Sequence, residues 1–316
     1  MIKVGAITID VSHPKAFSEI LAQGDRAKYV AVYNDGFRGN DEVEAFAKKM
    51  DLTICNSLEE LADMVDIGFV HSCNWDKHLD YVQPFIDRNK PIFIDKPIVG
   101  NMEDLRKLED LCAKGAKIIG TSALRYCDEV DEVKAALKEQ NAKPMHTVVT
   151  VGSDDFNYAI HAVELMSGFY DVRPVSCRFT SETNVDDQHL ETYFVRFEDG
   201  TSAQYISNIG KFVYFYVTMV TSNPEFDKDF GFKVDNSKFY KKMLDNVMDY
   251  VEGKENNIAT CQQMCDAIKI MLAGKASKEN GGIEVSLDSE LLEKTSFDGN
   301  AFEAGYAAKA RKMYLD

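Results

Sequence analysis

The first third of the chain alternates apolar runs with amphipathic ones. Lys3–Ile9, Tyr29–Tyr33, Thr53–Cys55, Asp66–His71, the stretch Pro91–Gly100 with its Asp95-Lys96-Pro97 strand end, and Lys117–Thr121 are short and rich in β-branched and aromatic residues, with few polar breaks. Such runs predict strands buried on both faces, as in a parallel sheet covered by helices. Between them, His13–Leu21, Glu42–Met50, Ser57–Met64, Trp75–Arg88 and Met102–Ala113 carry helical periodicity. Pro14 suits a first helical turn, and Ser57 followed by Glu60 has the spacing of a capping box. Six strand–helix alternations in about 120 residues predict a doubly wound parallel sheet over residues 1–122.

Beyond Ser122 the rhythm changes. A helix over Val130–Glu139, a strand over His146–Val151 and a helix over Ala159–Met166 are followed by consecutive strands at Val175–Thr180, Glu191–Phe197, Ser202–Ile209 and Phe212–Thr221. Glu198-Asp199-Gly200-Thr201 has hairpin composition. Strands without crossovers predict a mixed, mostly antiparallel sheet, and hence a second, α+β domain over 123–316. Helices over Lys238–Val251, Gln262–Ala273 and Ala301–Tyr314 close the chain. The run Lys211–Thr218 places aromatics on both faces of its strand, which predicts a homo-oligomer, a dimer or tetramer, formed through this sheet.

Charge and cysteine content narrow the function classes. A net charge of −16 argues against nucleic acid or an anionic membrane as partner. No apolar stretch is long enough for a membrane span, and the N-terminus reads as a strand rather than a signal peptide, so a soluble, cytoplasmic protein is expected. Seven cysteines lie at spacings that form no zinc motif, and reduced, mostly buried thiols are expected. Cys261 and Cys265 share a helix face. Asp154, Asp155, Asp186, Asp187 and His189 lack metal-ligand spacing, and no metal is expected.

Candidate chemistry collects at strand ends. Open α/β sheets bind ligands at the carboxyl ends of their strands, where Asp95-Lys96-Pro97 leaves the fifth strand. In register with Val4-Gly5, the three positions of a glycine-rich dinucleotide turn hold Thr8, Asp10 and His13. Asp10 brings a side chain, and a negative charge, to the place of a pyrophosphate. Ser12, His13 and the free amides of the following helix start are anion-binding groups that would have to overcome it.

Five segments in order resemble the Gfo/Idh/MocA family of oxidoreductases. Asp95-Lys96-Pro97 is similar to the family's Glu-Lys-Pro, Asn74 through His78 to its Asn-x-x-x-His, and Arg125-Tyr126 to its arginine-aromatic pair. Asn157 through His161 is similar to its Asp-x-x-x-His, with Asn in place of Asp. The block from Phe239 through Gly253 and Ala267 to Ala276-Ser277 follows its C-terminal helices. The resemblance implies hydride exchange between a nicotinamide and a hydroxyl carbon of a sugar or polyol. It also implies Lys96, His161 and Asn157 as catalytic residues, with Lys96, Arg125, Tyr126, Asn157 and His161 around the small-molecule substrate. The cofactor, NAD with NADP or none as alternatives, would meet Thr8, Asp10, Ser12, His13, Asn34, Asp35, Asn74, His78, Asp95 and Lys96. Asp35 at the ribose argues for NAD, and Arg38 nearby argues the reverse. Two alternatives stay open: a relative that has lost the dinucleotide and binds or regulates, and one that uses NAD in a lyase or hydrolase cycle.

Overall fold

The computed structural model describes residues 1–226, 231–235 and 237–315. Its first layer system is β1 (Ile2–Ile7), α1 (His13–Leu21), β2 (Ala27–Tyr33), α2 (Asn40–Met50), β3 (Thr53–Ile54), α3 (Leu58–Met64), β4 (Ile67–Val70), α4 (Gln83–Asp87), β5 (Ile92–Ile94), α5 (Met102–Ala113) and β6 (Ile118–Gly120). The strands run parallel in the order β3-β2-β1-β4-β5-β6. The order reverses at β1, so a crevice opens between the loops after β1 and β4.

The second system is α6 (Asp128–Glu139), β7 (Pro144–Ser153), α7 (Ala159–Ser167), β8 (Pro174–Val185), β9 (Gln188–Phe197), β10 (Ser202–Ile209), β11 (Tyr216–Thr221) and β12 (Gly231–Lys233). It ends with α8 (Phe239–Val251), α9 (Cys261–Glu279), β13 (Val285–Ser286) and α10 (Gly299–Lys309). Its strand order is β12-β11-β7-β10-β9-β8-β13, with β7 and β10 parallel and the other neighbours antiparallel. The fold is therefore α/β with a second, mixed sheet, as the strand pattern indicates. Gly200 takes the left-handed turn between β9 and β10.

Local chemistry explains where elements depart from their sequence expectation. Pro84 has no amide hydrogen, so the Trp75–Arg88 helix splits into a 3-10 turn over Trp75–Tyr81 and α4, with Pro84 in the latter's first turn. The capping box at Ser57 is half formed: Ser57 accepts from the Glu60 amide, but Glu60 takes the Asn56 amide instead. The expected strand over Phe212–Thr221 begins only at Tyr216, after Gly210 turns the chain at φ +83°. The last helix stops at Lys309, and the segment after it runs non-helically over the first sheet system.

Two buried clusters form the core. One joins the α3–α5 side of the first sheet to α7, α9 and the second sheet. The other holds Phe17, Val32 and Phe46 with Met243, Leu244 and Val247 of α8 and with Tyr314. The C-terminal third thus returns to cover the first sheet.

Candidate functional site

Thr8 retains the left-handed backbone, φ 60°, that a glycine would adopt at the first turn position. That conformation costs a β-branched residue roughly 1–3 kcal/mol. Thr8 is sealed from solvent, and its hydroxyl has no hydrogen-bond partner among the described residues.

Asp10, at the second glycine position, is fully buried. Its Oδ1 accepts from the Phe37 amide and its Oδ2 from the Cys73 amide, each at 3.2 Å. The carboxylate thereby ties the loop after β2 to the loop after β4, across the mouth of β1. Burial pushes its pKa up to about 6, and the nearby Glu303 carboxylate adds to the rise. Arg38 is used up beneath it: Nε and Nη2 donate to the carbonyl of Asp10, Nε also to that of Ile9, and Nη1 to Glu42 and the Arg311 carbonyl. Asn34 accepts from the Ile9 amide, and Asp35 accepts from the Tyr81 hydroxyl at 2.8 Å. Both are engaged within the chain at the place expected for a ribose.

The C-terminal segment closes the same region. Glu303 of α10 accepts from Asn74 Nδ2 and from Lys77, both at 2.9 Å, and Tyr306 lies edge-on to Phe37. Tyr314 donates to the Val11 carbonyl at 2.6 Å. His78 is fixed between the carbonyls of Ile98 and Ser72, 3.0 Å from each. Ser12 stands exposed at the N-cap of α1 with no side-chain capping bond.

At the third glycine position His13 reaches across the strand ends. Its Nδ1 contacts the Asp95 carboxylate, and its Nε2 lies 2.9 Å from the Tyr240 hydroxyl of α8. Burial works against the Asp95 charge, yet His13, then His71 and Lys96, hold its carboxyl well below the usual range.

The next residue points the other way. Lys96, joined to Pro97 by a cis peptide, extends its Nζ to the Asn157 carbonyl at 2.9 Å and the Asn157 Oδ1 at 3.0 Å. Burial lowers its pKa against the opposing pull of Asp95 and Asp154. One turn on, His161 Nδ1 lies 2.6 Å from the Ser122 hydroxyl. Burial, then the Lys96 charge, holds His161 well below the ordinary histidine value. The ring is therefore neutral at neutral pH and available as a proton acceptor. Lys96, Asn157 and His161 keep partial exposure, whereas Thr8, Asp10, Asn74 and His78 have none.

Arg125 and Tyr126 are not brought to this crevice. Arg125 is buried in an ion pair with Glu164, which also accepts from Thr121. The Tyr126 hydroxyl accepts from the Ala259 amide. Both anchor the chain between β6 and α6. The residues considered for metal binding in the second sheet are spread over other duties: Asp187 pairs with Lys211, and His189 with Glu182 and Glu191. Ser122, Tyr240 and Glu303 joined the site without any local sequence signal.

The crevice lies at the switch point of a parallel sheet, and known proteins share the fold that forms it. Residues 4–122 match a family profile described as "Oxidoreductase family, NAD-binding Rossmann fold". That profile describes the Gfo/Idh/MocA family, to which residues 4–122 are similar. No curated protein matches the chain by sequence. Among solved structures, the myo-inositol dehydrogenase of Lactobacillus casei in complex with NAD(H) and myo-inositol is 15% identical with a TM-score of 0.73, over 92% of this chain and 97% of that one. The scyllo-inositol dehydrogenase of the same organism, with bound NAD(H) and scyllo-inositol, is 14% identical with a TM-score of 0.72, over 92% and 100%. A probable dehydrogenase from Thermotoga maritima is 16% identical with a TM-score of 0.74, over 91% and 99%. At these identities the structures establish the shared fold.

The residues around the crevice of the first sheet do not, in this arrangement, fit a dinucleotide. A diphosphate needs free amides and small residues at the first turn. Here Asp10 supplies a carboxylate in their place, and Arg38, Asn34 and Asp35 are already engaged.

Proposed function

We propose that the protein takes a small hydroxyl-bearing molecule of the sugar or polyol class at Lys96, Asn157 and His161. Hydride exchange with a nicotinamide coenzyme at that crevice is conditional on Asp10 leaving the amides that it caps. The observation that carries the proposal is the difference between the two sides of the crevice: the Lys96 side is partly open, and the Asp10 side is sealed.

The open side suits a hydroxyl group. The Lys96 ammonium, held by two Asn157 oxygens, has a third proton to donate, and its charge favours an alkoxide over an alcohol. With Nδ1–H donated to Ser122, His161 keeps a lone pair on Nε2 to take the hydroxyl proton. Asn157 holds the ammonium without adding a negative charge beside it, so Lys96 stays a stronger electrostatic stabiliser than it would be next to a carboxylate. No hydride step follows from the closed arrangement.

The burial of Asp10 also favours a second reading, in which closure is permanent and the chain binds or senses its ligand without a coenzyme. Calorimetry separates the two. Wild-type protein and Asp10→Gly are each titrated with NAD, NADH, NADP and NADPH, and separately with myo-inositol. Polyol heat in both proteins and coenzyme heat only in Asp10→Gly is the expected result. Coenzyme heat in the wild type would overturn the closure, and silence toward the coenzymes in both proteins would favour the second reading. Absence of heat with myo-inositol and other polyols would remove the substrate class.

A further inference from the structure

The sealed side of the crevice gathers three groups that can bind a metal. A carboxylate oxygen of Asp10, the sulfur of Cys73 and a carboxylate oxygen of Glu303 all lie within 4.8 Å of one another. They come from the loop after β1, the loop after β4 and α10.

Charge is unbalanced there. Asp10 is fully buried, and among the described residues no cation pairs with its carboxylate, because Arg38 Nε and Nη2 are spent on main-chain carbonyls. Glu303 adds a second negative charge. Lys77, 2.9 and 3.2 Å from the two Glu303 oxygens, offsets only one of the two.

Cys73 is the group left unspent. It is 6% exposed, and its thiol has no hydrogen-bond partner in any other described residue, although its sulfur lies against both carboxylates. Burial, then Asp10 and Glu303, push that thiol's pKa up, so a thiolate needs a cation beside it.

Donor capacity remains on all three side chains. A carboxylate oxygen accepts two bonds; the amides of Phe37 and Cys73 fill one place on each Asp10 oxygen, and Glu303 Oε1 receives only Lys77. One thiolate with two carboxylates suits Zn²⁺, which holds sulfur at about 2.3 Å and oxygen at about 2.0–2.2 Å. Donors around a tetrahedral ion then stand roughly 3.5 Å apart, so the three must close by about 1 Å. Glu303 is partly exposed and can make that movement. With the Cys73 proton gone, the three negative charges equal those of zinc and Lys77 together.

We propose that Asp10, Cys73 and Glu303 form a zinc site that fastens α10 to the loops after β1 and β4. As the sulfur–zinc bond forms, the Cys73 proton leaves to solvent, and no electrons change hands. Water fills the fourth position. The ion holds Asp10 on the amides of Phe37 and Cys73 and keeps this side of the crevice shut. The site stands whether or not the polyol reading holds.

The test uses the intact wild-type chain, freed of metal with EDTA and kept reduced. Titration with Co²⁺ alone should saturate at about one equivalent and raise a thiolate-to-cobalt charge-transfer band in the near ultraviolet, which Zn²⁺ should then abolish. Zn²⁺ alone should raise Tm by several degrees. The cobalt band should vanish in Cys73→Ser and survive in Cys261→Ser, which removes one of two thiols 3.9 Å apart at the start of α9. In Glu303→Gln, a change at a partly exposed side chain, calorimetry should show zinc affinity at least about tenfold weaker. No cobalt band in the wild type, a band that persists in Cys73→Ser or is lost in Cys261→Ser, or unchanged zinc affinity in Glu303→Gln would each overturn the site. These readouts use neither coenzyme nor polyol, so the zinc site and the proposed function can fail separately.

Discussion

Asp10 is pressed so closely on Gly36 that a Cβ at position 36 would stand 2.1 Å from its Oδ1. The loop after β2 has room for the Asp10 carboxylate only because residue 36 has no side chain. Gly36 and Asp10 thus act as one closure over the mouth of β1.

Asp10→Gly should open that closure. It removes the carboxylate from the amides of Phe37 and Cys73 and removes a like charge facing a diphosphate, an effect on the order of 1 kcal/mol or more. Calorimetry should show at least a roughly tenfold gain in NAD(H) affinity over wild type. No gain would favour the reading in which the chain binds its ligand without a coenzyme.

Asp10 also has a pH signature. Its pKa rises from 3.8 to about 6 on folding, so its favourable contribution is complete below 3.8 and is lost as pH rises through 6. The urea stability of wild type relative to Asp10→Asn is expected to fall by up to about 3 kcal/mol between those values and to stay level above them. A difference that does not change with pH would contradict the raised value.

Trp75, the single tryptophan, lies edge-on to Phe156 at 4.9 Å, beside Asn157, and offers a fluorescence readout of the crevice. Lys96→Met should weaken polyol binding on the order of tenfold to a hundredfold, the range for losing a charged hydrogen-bond donor. Asn157→Ala, which frees the ammonium without removing it, should cost only a few-fold. Equal losses would remove the distinction between contact and support.

Arg125→Ala should unfold the protein more readily without changing polyol affinity. It leaves the buried Glu164 without its cation, a change of about 3–5 kcal/mol, and the second substitution Glu164→Gln should recover part of it. A loss of ligand affinity with unchanged stability would return Arg125 to the site.

The second sheet presents Tyr214, Tyr216 and Val220 to solvent, at 46%, 46% and 64% exposure. We propose this face as the contact between two copies of the chain. Light scattering should report a dimer for wild type and a monomer for Val220→Glu; a monomeric wild type would dispose of the idea.

Much of the architecture was legible in residue order. The parallel sheet, the position of Lys96 at the end of β5, the one-turn spacing of Asn157 and His161, and the hairpin at Gly200 all follow from periodicities and turn residues within short windows. Those signals are local, so they survive in a single sequence. The boundaries that slipped did so where local preferences compete, as at Pro84 and in the aromatic run before Tyr216.

The sequence by itself determined that an acid occupies the second position of the first turn, and that a lysine and a histidine belong to strand and helix ends that can meet. Only the tertiary structure decided which way the acid faces. Its partners are amides 27 and 63 residues away, and the helix that closes over Asn74 lies 226 to 229 residues on. Contacts of that separation leave no periodic trace in the chain, because they depend on how whole layers pack. The same holds for Arg125, whose partner Glu164 faces it only once α7 has docked.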